Sequence, residues 1–414
     1  MTTGTEQRPD WLIAVNREGE SMDLAAVVPM DPEELISTAM RAEQLANFGR
    51  DDYWREPFHV LVESLNSQAD LSLFGRIGTR DMLLTALRNR LRVEDVFARN
   101  PAIEDEVIHE PVILVGLPRS GTSILFEVLM QDPDLAALLA WEVESPCPPP
   151  EAGTYADDPR IPRAHERITR RTRLAPRMQA MHELGARIPA ECGTAHTYFS
   201  FLSESVLGRY NLPAYDAYLT QRGDLRKAYG YHKRLLKLLQ WKNPRRHWLL
   251  KSPPYLWHLD VLLETFPDAR VIISHRDPLR ALSSGTSLIV TMRGMWSDRP
   301  VVDPAGFALM LDPATIAAGL EGIIDLIEAG AIPRGQVLHS HYAQFMQDPI
   351  AQVRELYDGM GLALTDQATG AMRAYLAGKP QGKFGTHAYA VVDDPGVRRL
   401  FARYQAYFNV ENEG

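Results

Sequence analysis

The sequence predicts an α/β fold: a parallel sheet flanked by helices, with a helical region before it and a helical insertion within it. Three observations predict it. Short apolar runs recur after residue 110, each stopped by Gly or a polar cluster and followed by a helical pattern. Continuous apolar strands alternating with helices belong to parallel sheets covered on both faces. No run before residue 111 reads as a strand, and residues 145–246 carry none of clear definition.

The first 110 residues read as helices. Pro32 to Phe48 follows an Asp-Pro start, which suits a helix N-terminus. Asp81 to Phe97 spaces its apolar residues at helical intervals. Val112-Ile113-Leu114-Val115 is then the first strand. It stops at Gly116, and after a Pro-Arg-Ser-Gly turn Ser123 to Met130 reads as a helix. Asp132-Pro133-Asp134 and a further apolar helix lead to Glu142. Three more runs follow. Trp248-Leu249-Leu250 ends at Lys251-Ser252-Pro253, Val271-Ile272-Ile273 at His275-Arg276-Asp277-Pro278, and Val337-Leu338 near His341-Tyr342. Ligands of such sheets sit beyond the carboxyl ends of the strands. The polar residues after the four runs are therefore expected to converge on one crevice.

The strandless stretch opens with the breaker cluster Pro146-Cys147-Pro148-Pro149-Pro150. It continues through a basic helical stretch, Arg160 to Arg187, and an aromatic-rich one, Tyr198 to Tyr218. The expected organisation is a helical region 1–110 packed on the core, and an α/β domain 111–414 with 145–246 as a mainly helical insertion. No internal repeat or low-complexity tract interrupts it.

Composition excludes several classes. The 414 residues are 45% apolar, enough for a sizeable core. A net charge of −9 does not favour nucleic acid or anionic membrane, so any bound anion is held by local donors. Two cysteines, Cys147 and Cys192, exclude a disulfide framework and a CxxC metal site. The start MTTGTEQRPDWLIAV lacks a signal-peptide pattern, and no stretch reaches the ~18 apolar residues of a membrane span. The expectation is a cytoplasmic protein with no stable membrane insertion; its oligomeric state is left open.

Gly116-Leu117-Pro118-Arg119-Ser120-Gly121-Thr122-Ser123 carries the chemistry. It is P-loop-like: glycines permit tight curvature, and amides at a helix N-terminus face an anion. A nucleotide-hydrolysing loop reads G-x-x-x-x-G-K-[ST]. Here Thr122 takes the lysine position and the cation moves to Arg119 inside the loop. That weakens the case for β/γ-phosphates with Mg²⁺. A sulfuryl group carries less charge than a phosphoryl group, and fixed cations and amides can balance its transfer without a metal.

Pro118-Arg119-Ser120-Gly121-Thr122-Ser123 resembles the 5′-phosphosulfate loop, P-[KR]-S-G-T-[TS], of sulfotransferases that use 3′-phosphoadenosine 5′-phosphosulfate (PAPS). The family's second signature is a strand-closing arginine with a serine eight residues later; Arg276 and Ser284 match it. In the family these two hold the 3′-phosphate, and a bidentate, permanently charged arginine suits that task. Trp248 to Pro253, Phe266 to Arg270, Trp141-Glu142 and Gly382-Lys383 are similar to the bacterial-type branch. The resemblance covers roughly residues 110–410. It implies sulfuryl transfer from PAPS to an acceptor hydroxyl, with adenosine 3′,5′-bisphosphate as product and no metal, and makes the insertion the acceptor side.

Roles follow from the resemblance and from chemistry. A base must take the acceptor proton. Glu142 is the first candidate, because some relatives place a catalytic glutamate in this part of the chain. His258 is the second, seven residues after Lys251. Cytosolic relatives place a catalytic histidine two residues after that lysine, where this chain has Pro253, and Tyr255 stands where the branch often has histidine. Lys251, closing a strand, is expected to stabilise charge on the transferring group. Arg119 is expected to neutralise the leaving phosphate oxygen. Tyr342 matches a tyrosine that helps hold adenine, and Lys383, with His387, a C-terminal loop that closes over the nucleotide. The aromatics Tyr198, Phe199, Phe201, Tyr210, Tyr215 and Tyr218 are expected to line an apolar pocket for a hydrophobic or lipid-like hydroxylated acceptor. Two other readings stay open: a P-loop kinase, which needs Mg²⁺, and a nucleotide-binding protein that has lost its base.

Overall fold

The computed structural model describes residues 8–176, 178–299, 309–379 and 389–413. The chain forms two compact units. Unit 1 comprises Met1–Val107, Leu139–Pro244 and Ile289–Val301; unit 2 comprises Ile108–Leu138, Arg245–Leu288 and Val302–Gly414.

Unit 2 carries the sheet. Its strands are β1 (Val112–Gly116), β2 (Leu135–Ala137), β3 (His247–Lys251), β4 (Arg270–His275) and β5 (Val337–His341). They lie in the order β2-β3-β1-β4-β5, and every pairing is parallel. All residues of β1 and β3 are buried, which is why those runs are continuously apolar rather than alternating. Edge strand β5 is less covered and tolerates His339 and His341. Register pairs Leu114 with Lys251, Gly116 with Ser274, and His275 with His341. The carboxyl ends of β1, β3, β4 and β5 thus lie at one end of the sheet.

The segment after Asp134 departs from expectation. Leu135–Ala137 is a strand on the outer edge of β3, pairing Leu135 with His247, and not the start of a helix. A three-residue apolar run has no periodicity to separate the two; the backbone groups of β3 left open at that edge decide it.

Unit 1 is built from helices. Pro32–Glu43 is started by Asp31, whose carboxylate accepts from the Glu34 amide at 2.8 Å. The expected helix from Asp81 lies inside a longer one, Leu73–Arg99, capped by Ser72. The basic stretch is helical over Arg160–Leu174 and then leaves the helix at Ala175.

The aromatic-rich stretch corrects the expected acceptor pocket. Tyr198, Phe199, Phe201, Tyr210 and Tyr215 are all at most 2% exposed, and Tyr218 is half-buried. Phe201 packs on Phe58 with ring centroids 4.7 Å apart. The Tyr215 hydroxyl donates to the Phe201 carbonyl at 2.6 Å, and that of Tyr198 to Glu144 at 3.2 Å. These rings are the core of unit 1. A stripe of aromatics carries the same sequence signal whether it faces a ligand or an interior.

Candidate functional site

The loop after β1 is shaped by two glycines. Gly116 has φ +153° and Gly121 φ +93°. A Cβ on Gly116 would stand 2.7 Å from the Ser274 carbonyl oxygen, and one on Gly121 2.5 Å from the Tyr342 ring. The loop therefore closes against β4 and Tyr342 more tightly than any side chain allows. Ser274 Oγ donates to the Ser120 carbonyl at 2.7 Å and ties the loop down. The helix Thr122–Leu129 starts directly from it. Arg119 sits between the glycines at φ +70°, a left-handed conformation that non-glycine residues seldom adopt.

The Arg119 side chain reaches the helix Pro278–Gly294 that follows β4. Its Nε donates to Ser284 Oγ at 3.1 Å. Arg276 Nη1 donates to the Arg119 carbonyl at 2.9 Å, and the Arg276 guanidinium lies 4.2 Å from the centre of the Tyr342 ring. Burial, and then the charge of Arg276, push the pKa of Arg119 below its ordinary value. Burial acts the same way on Arg276, but the Glu413 carboxylate outweighs it and raises that pKa. Two guanidinium groups and a hydroxyl are thus crowded around one loop, an arrangement that favours a bound anion. The adjacent His275 adds no repulsion. Burial, then His339 and His341, hold its pKa well below the ordinary value, so it is neutral. Its ring nitrogens meet Tyr404 Oη and His339 Nδ1, each at 2.9 Å.

Lys251, buried at the end of β3, donates from Nζ to Ser123 Oγ at 3.1 Å. Two hydroxyls close to these cations in sequence, Ser120 Oγ and Ser252 Oγ, are buried and have no hydrogen-bond partner among the described residues. Buried polar atoms are normally satisfied. A hydroxyl next in sequence to Arg119 and another next to Lys251, both without a partner among the described residues, fit a polyanionic ligand.

Pro118, Arg119, Ser120, Gly121, Thr122, Ser123, Lys251, Arg276, Ser284 and Tyr342 all belong to unit 2. The contacts above join Arg119, Ser284, Arg276 and Tyr342 into one group and Lys251 to Ser123. Tyr342 backs the Arg276 guanidinium with one face. His258 is half-buried; it closes a 3₁₀ turn, Pro253–His258, just before the helix Leu259–Thr265. Glu142 belongs to unit 1 and is fully buried. Its Oε2 accepts the Leu139 amide at 2.8 Å, and its Oε1 accepts the Tyr155 hydroxyl at 3.1 Å. Lys383 and His387 lie outside the described residues. Among the described residues, no cluster of His, Cys, Asp and Glu is arranged to hold a metal ion, and no helix is long and apolar enough to cross a membrane.

Sequence reasoning missed three residues here. Ser274 sits within an apolar strand run and carries no signal. Asp277 accepts the Leu279 amide at 3.0 Å, a capping role that the Asp-Pro pair could have indicated. Glu413, which holds Arg276, stands in a short acidic segment without a motif.

Residues 111–366 match the model of a family described as the sulfotransferase family. The crystal structure of sulfotransferase STF9 from Mycobacterium avium is 27% identical, with a TM-score of 0.82, over 93% of this chain and 98% of that one. That of sulfotransferase STF1 from Mycobacterium tuberculosis H37Rv is 28% identical, with a TM-score of 0.76, over 90% and 98%. Coverage this wide takes in most of the helical residues ahead of the sheet as well. No curated protein matches the sequence.

Proposed function

The chain belongs to the sulfotransferase family, and on that premise we propose that it moves a sulfuryl group from PAPS to the hydroxyl of a small-molecule acceptor. One observation carries the proposal: Arg119 Nε lies 3.1 Å from Ser284 Oγ while Arg276 Nη1 lies 2.9 Å from the Arg119 carbonyl. Two permanent cations and a hydroxyl from separate segments meet at a glycine-bent loop. Arg276 and Ser284 would hold the 3′-phosphate. The loop residues Pro118 to Ser123 would hold the 5′-phosphosulfate, and Tyr342 would border the adenine.

In the reaction the acceptor oxygen forms a bond to sulfur as the bond from sulfur to the 5′-phosphate oxygen breaks. The electron pair stays on that phosphate oxygen, where Arg119 and Lys251 would balance it. The acceptor proton goes to a base. Glu142 is the proposed base and His258 the alternative. The backbone amide of Leu139 orients the Glu142 carboxylate through one oxygen, and the other already accepts from a hydroxyl, that of Tyr155. An acceptor alcohol that replaces Tyr155 would make the same kind of contact.

The test is nucleotide binding by calorimetry followed by transfer from labelled PAPS to a panel of lipids, glycans and phenols. Adenosine 3′,5′-bisphosphate should bind at micromolar affinity and more tightly than AMP, and Arg276→Ala should remove about 2–3 kcal/mol of that preference. Transfer should persist in EDTA. Equal affinity for the two nucleotides sinks the assignment, and an activity lost to EDTA and restored by Mg²⁺ moves it to a kinase.

A further inference from the structure

We propose that residues 410–413 form a latch that occupies the phosphate-facing edge of Arg276, and that a ligand's 3′-phosphate opens it; this rests on the nucleotide site proposed above.

The Arg276 fork has one edge free of the loop, and a carboxylate already fills it. Nε donates to Glu413 Oε1 at 2.7 Å and Nη2 to Glu413 Oε2 at 2.8 Å. The remaining nitrogen, Nη1, is committed to the Arg119 carbonyl, and the Tyr342 ring fixes the plane of the group. Carboxylate and phosphate compete for the same paired N–H edge of an arginine. A phosphate that takes this edge displaces Glu413.

The segment is held there by more than one contact. Asn409 ends the helix Ala402–Phe408 at φ +54°, and the left-handed turn sends the chain back toward β4. The Val410 amide donates to the Gln405 carbonyl at 2.9 Å. The Asn412 side chain accepts from Gln405 Nε2 at 2.8 Å and from Arg398. The Glu413 amide donates to Asp277 Oδ2 at 2.9 Å, and Arg280 Nε reaches the Glu413 carbonyl at 3.3 Å. The Glu413 side chain keeps 27% of its surface exposed against 13% for Arg276, so the carboxylate is the partner that water and ligand can reach. The closed form is a minor obstacle for a nucleotide without a 3′-phosphate and a direct competitor for one that has it.

A latch closed nine-tenths of the time weakens apparent affinity about tenfold, because only the open fraction binds. Full-length protein titrated with adenosine 3′,5′-bisphosphate and with AMP tests this. Glu413→Gln should tighten the bisphosphate about tenfold and leave AMP unchanged. Asn412→Ala, which loosens the segment without touching Arg276, should shift binding the same way by less. Hydrogen exchange gives a second reading: the Glu413 amide should exchange faster with the bisphosphate bound and not with AMP bound. Bisphosphate binding that is unchanged or weaker in Glu413→Gln, or a 410–413 segment that the bisphosphate protects, overturns the latch alone. Loss of any preference for the bisphosphate over AMP, in wild type and variant alike, overturns the nucleotide site and the latch with it.

Discussion

In unit 1, Arg90 is 1% exposed, and its donors meet carbonyl oxygens: Nε that of Phe48 at 2.8 Å and Nη1 that of Phe199. Its guanidinium also lies 4.4 Å from the centre of the Tyr231 ring. Arg76 is answered likewise, by the Val28 carbonyl at 2.7 Å and Asn66 Oδ1 at 2.8 Å. In unit 2, Arg119 and Arg276 press on each other's charge, one in a left-handed backbone, and the Ser120 and Ser252 hydroxyls have no partner among the described residues. Arg76 and Arg90 are buried and Arg119 and Arg276 half-buried, and a buried cation surrounded by acceptors completes a core. Two cations drawn to one loop, one of them answered by the carboxylate of Glu413, form the group proposed above to meet an anion.

Glu142 is an answered group in unit 1 for which a catalytic role is proposed. Glu142→Gln should bind nucleotide normally and lower turnover about 10²–10⁴-fold, the usual worth of a general base. His258→Ala should cost only a few-fold. A fully active Glu142→Gln beside a dead His258→Ala reverses the assignment, and a Glu142→Gln that merely melts earlier returns Glu142 to the interior of unit 1.

Arg119 gives the next largest effect. Arg119→Ala should cut transfer about 10²–10³-fold, the scale seen when one preorganised charge donor is removed, with an unchanged melting curve. Arg119→Gly should lose as much activity and melt level with wild type or higher, by up to about 1 kcal/mol, because glycine relieves the left-handed strain. Stability that falls in both variants would make the arginine structural.

Arg90 should show the opposite pattern. Arg90→Met strands two buried carbonyls and should cost about 2–4 kcal/mol in urea unfolding. At temperatures where the variant is folded, nucleotide affinity should match wild type. Altered affinity with intact stability would erase the distinction between the two kinds of arginine.

The smallest effect is expected where unit 1 breaks its own pattern. Arg293 is 4% exposed and donates from Nη2 to the Leu207 carbonyl at 2.8 Å. Among the described residues its Nε and Nη1 have no partner, and burial pushes its pKa down to about 10. Replacing an uncompensated buried charge with an apolar side chain of similar size is often neutral or stabilising. Arg293→Met should therefore hold within about 1 kcal/mol of wild type or exceed it. A loss as large as that of Arg90→Met would show that this cation is answered after all.

The sheet and its loop were legible in the sequence because their causes are local. Strands buried on both faces read as unbroken apolar runs, and β1, β3, β4 and β5 fall on the four runs named for them. Gly116 and Gly121 announce a bend that their positive φ angles require. Arg276 and Ser284 share one strand–helix junction, so their spacing along the chain carries their proximity. Tertiary structure decided the rest. Leu135–Ala137 is a strand because β3 offers an edge, which no three-residue run can announce. Tyr198, Phe199, Phe201, Tyr210 and Tyr215 are core because unit 1 closes over them. Glu413 meets Arg276 across 137 positions of sequence, through a left-handed turn at Asn409 that only the folded chain points at β4. Periodicity and spacing report what a residue's near neighbours require of it. Which distant surface then covers it depends on packing, and packing leaves no mark on the local pattern.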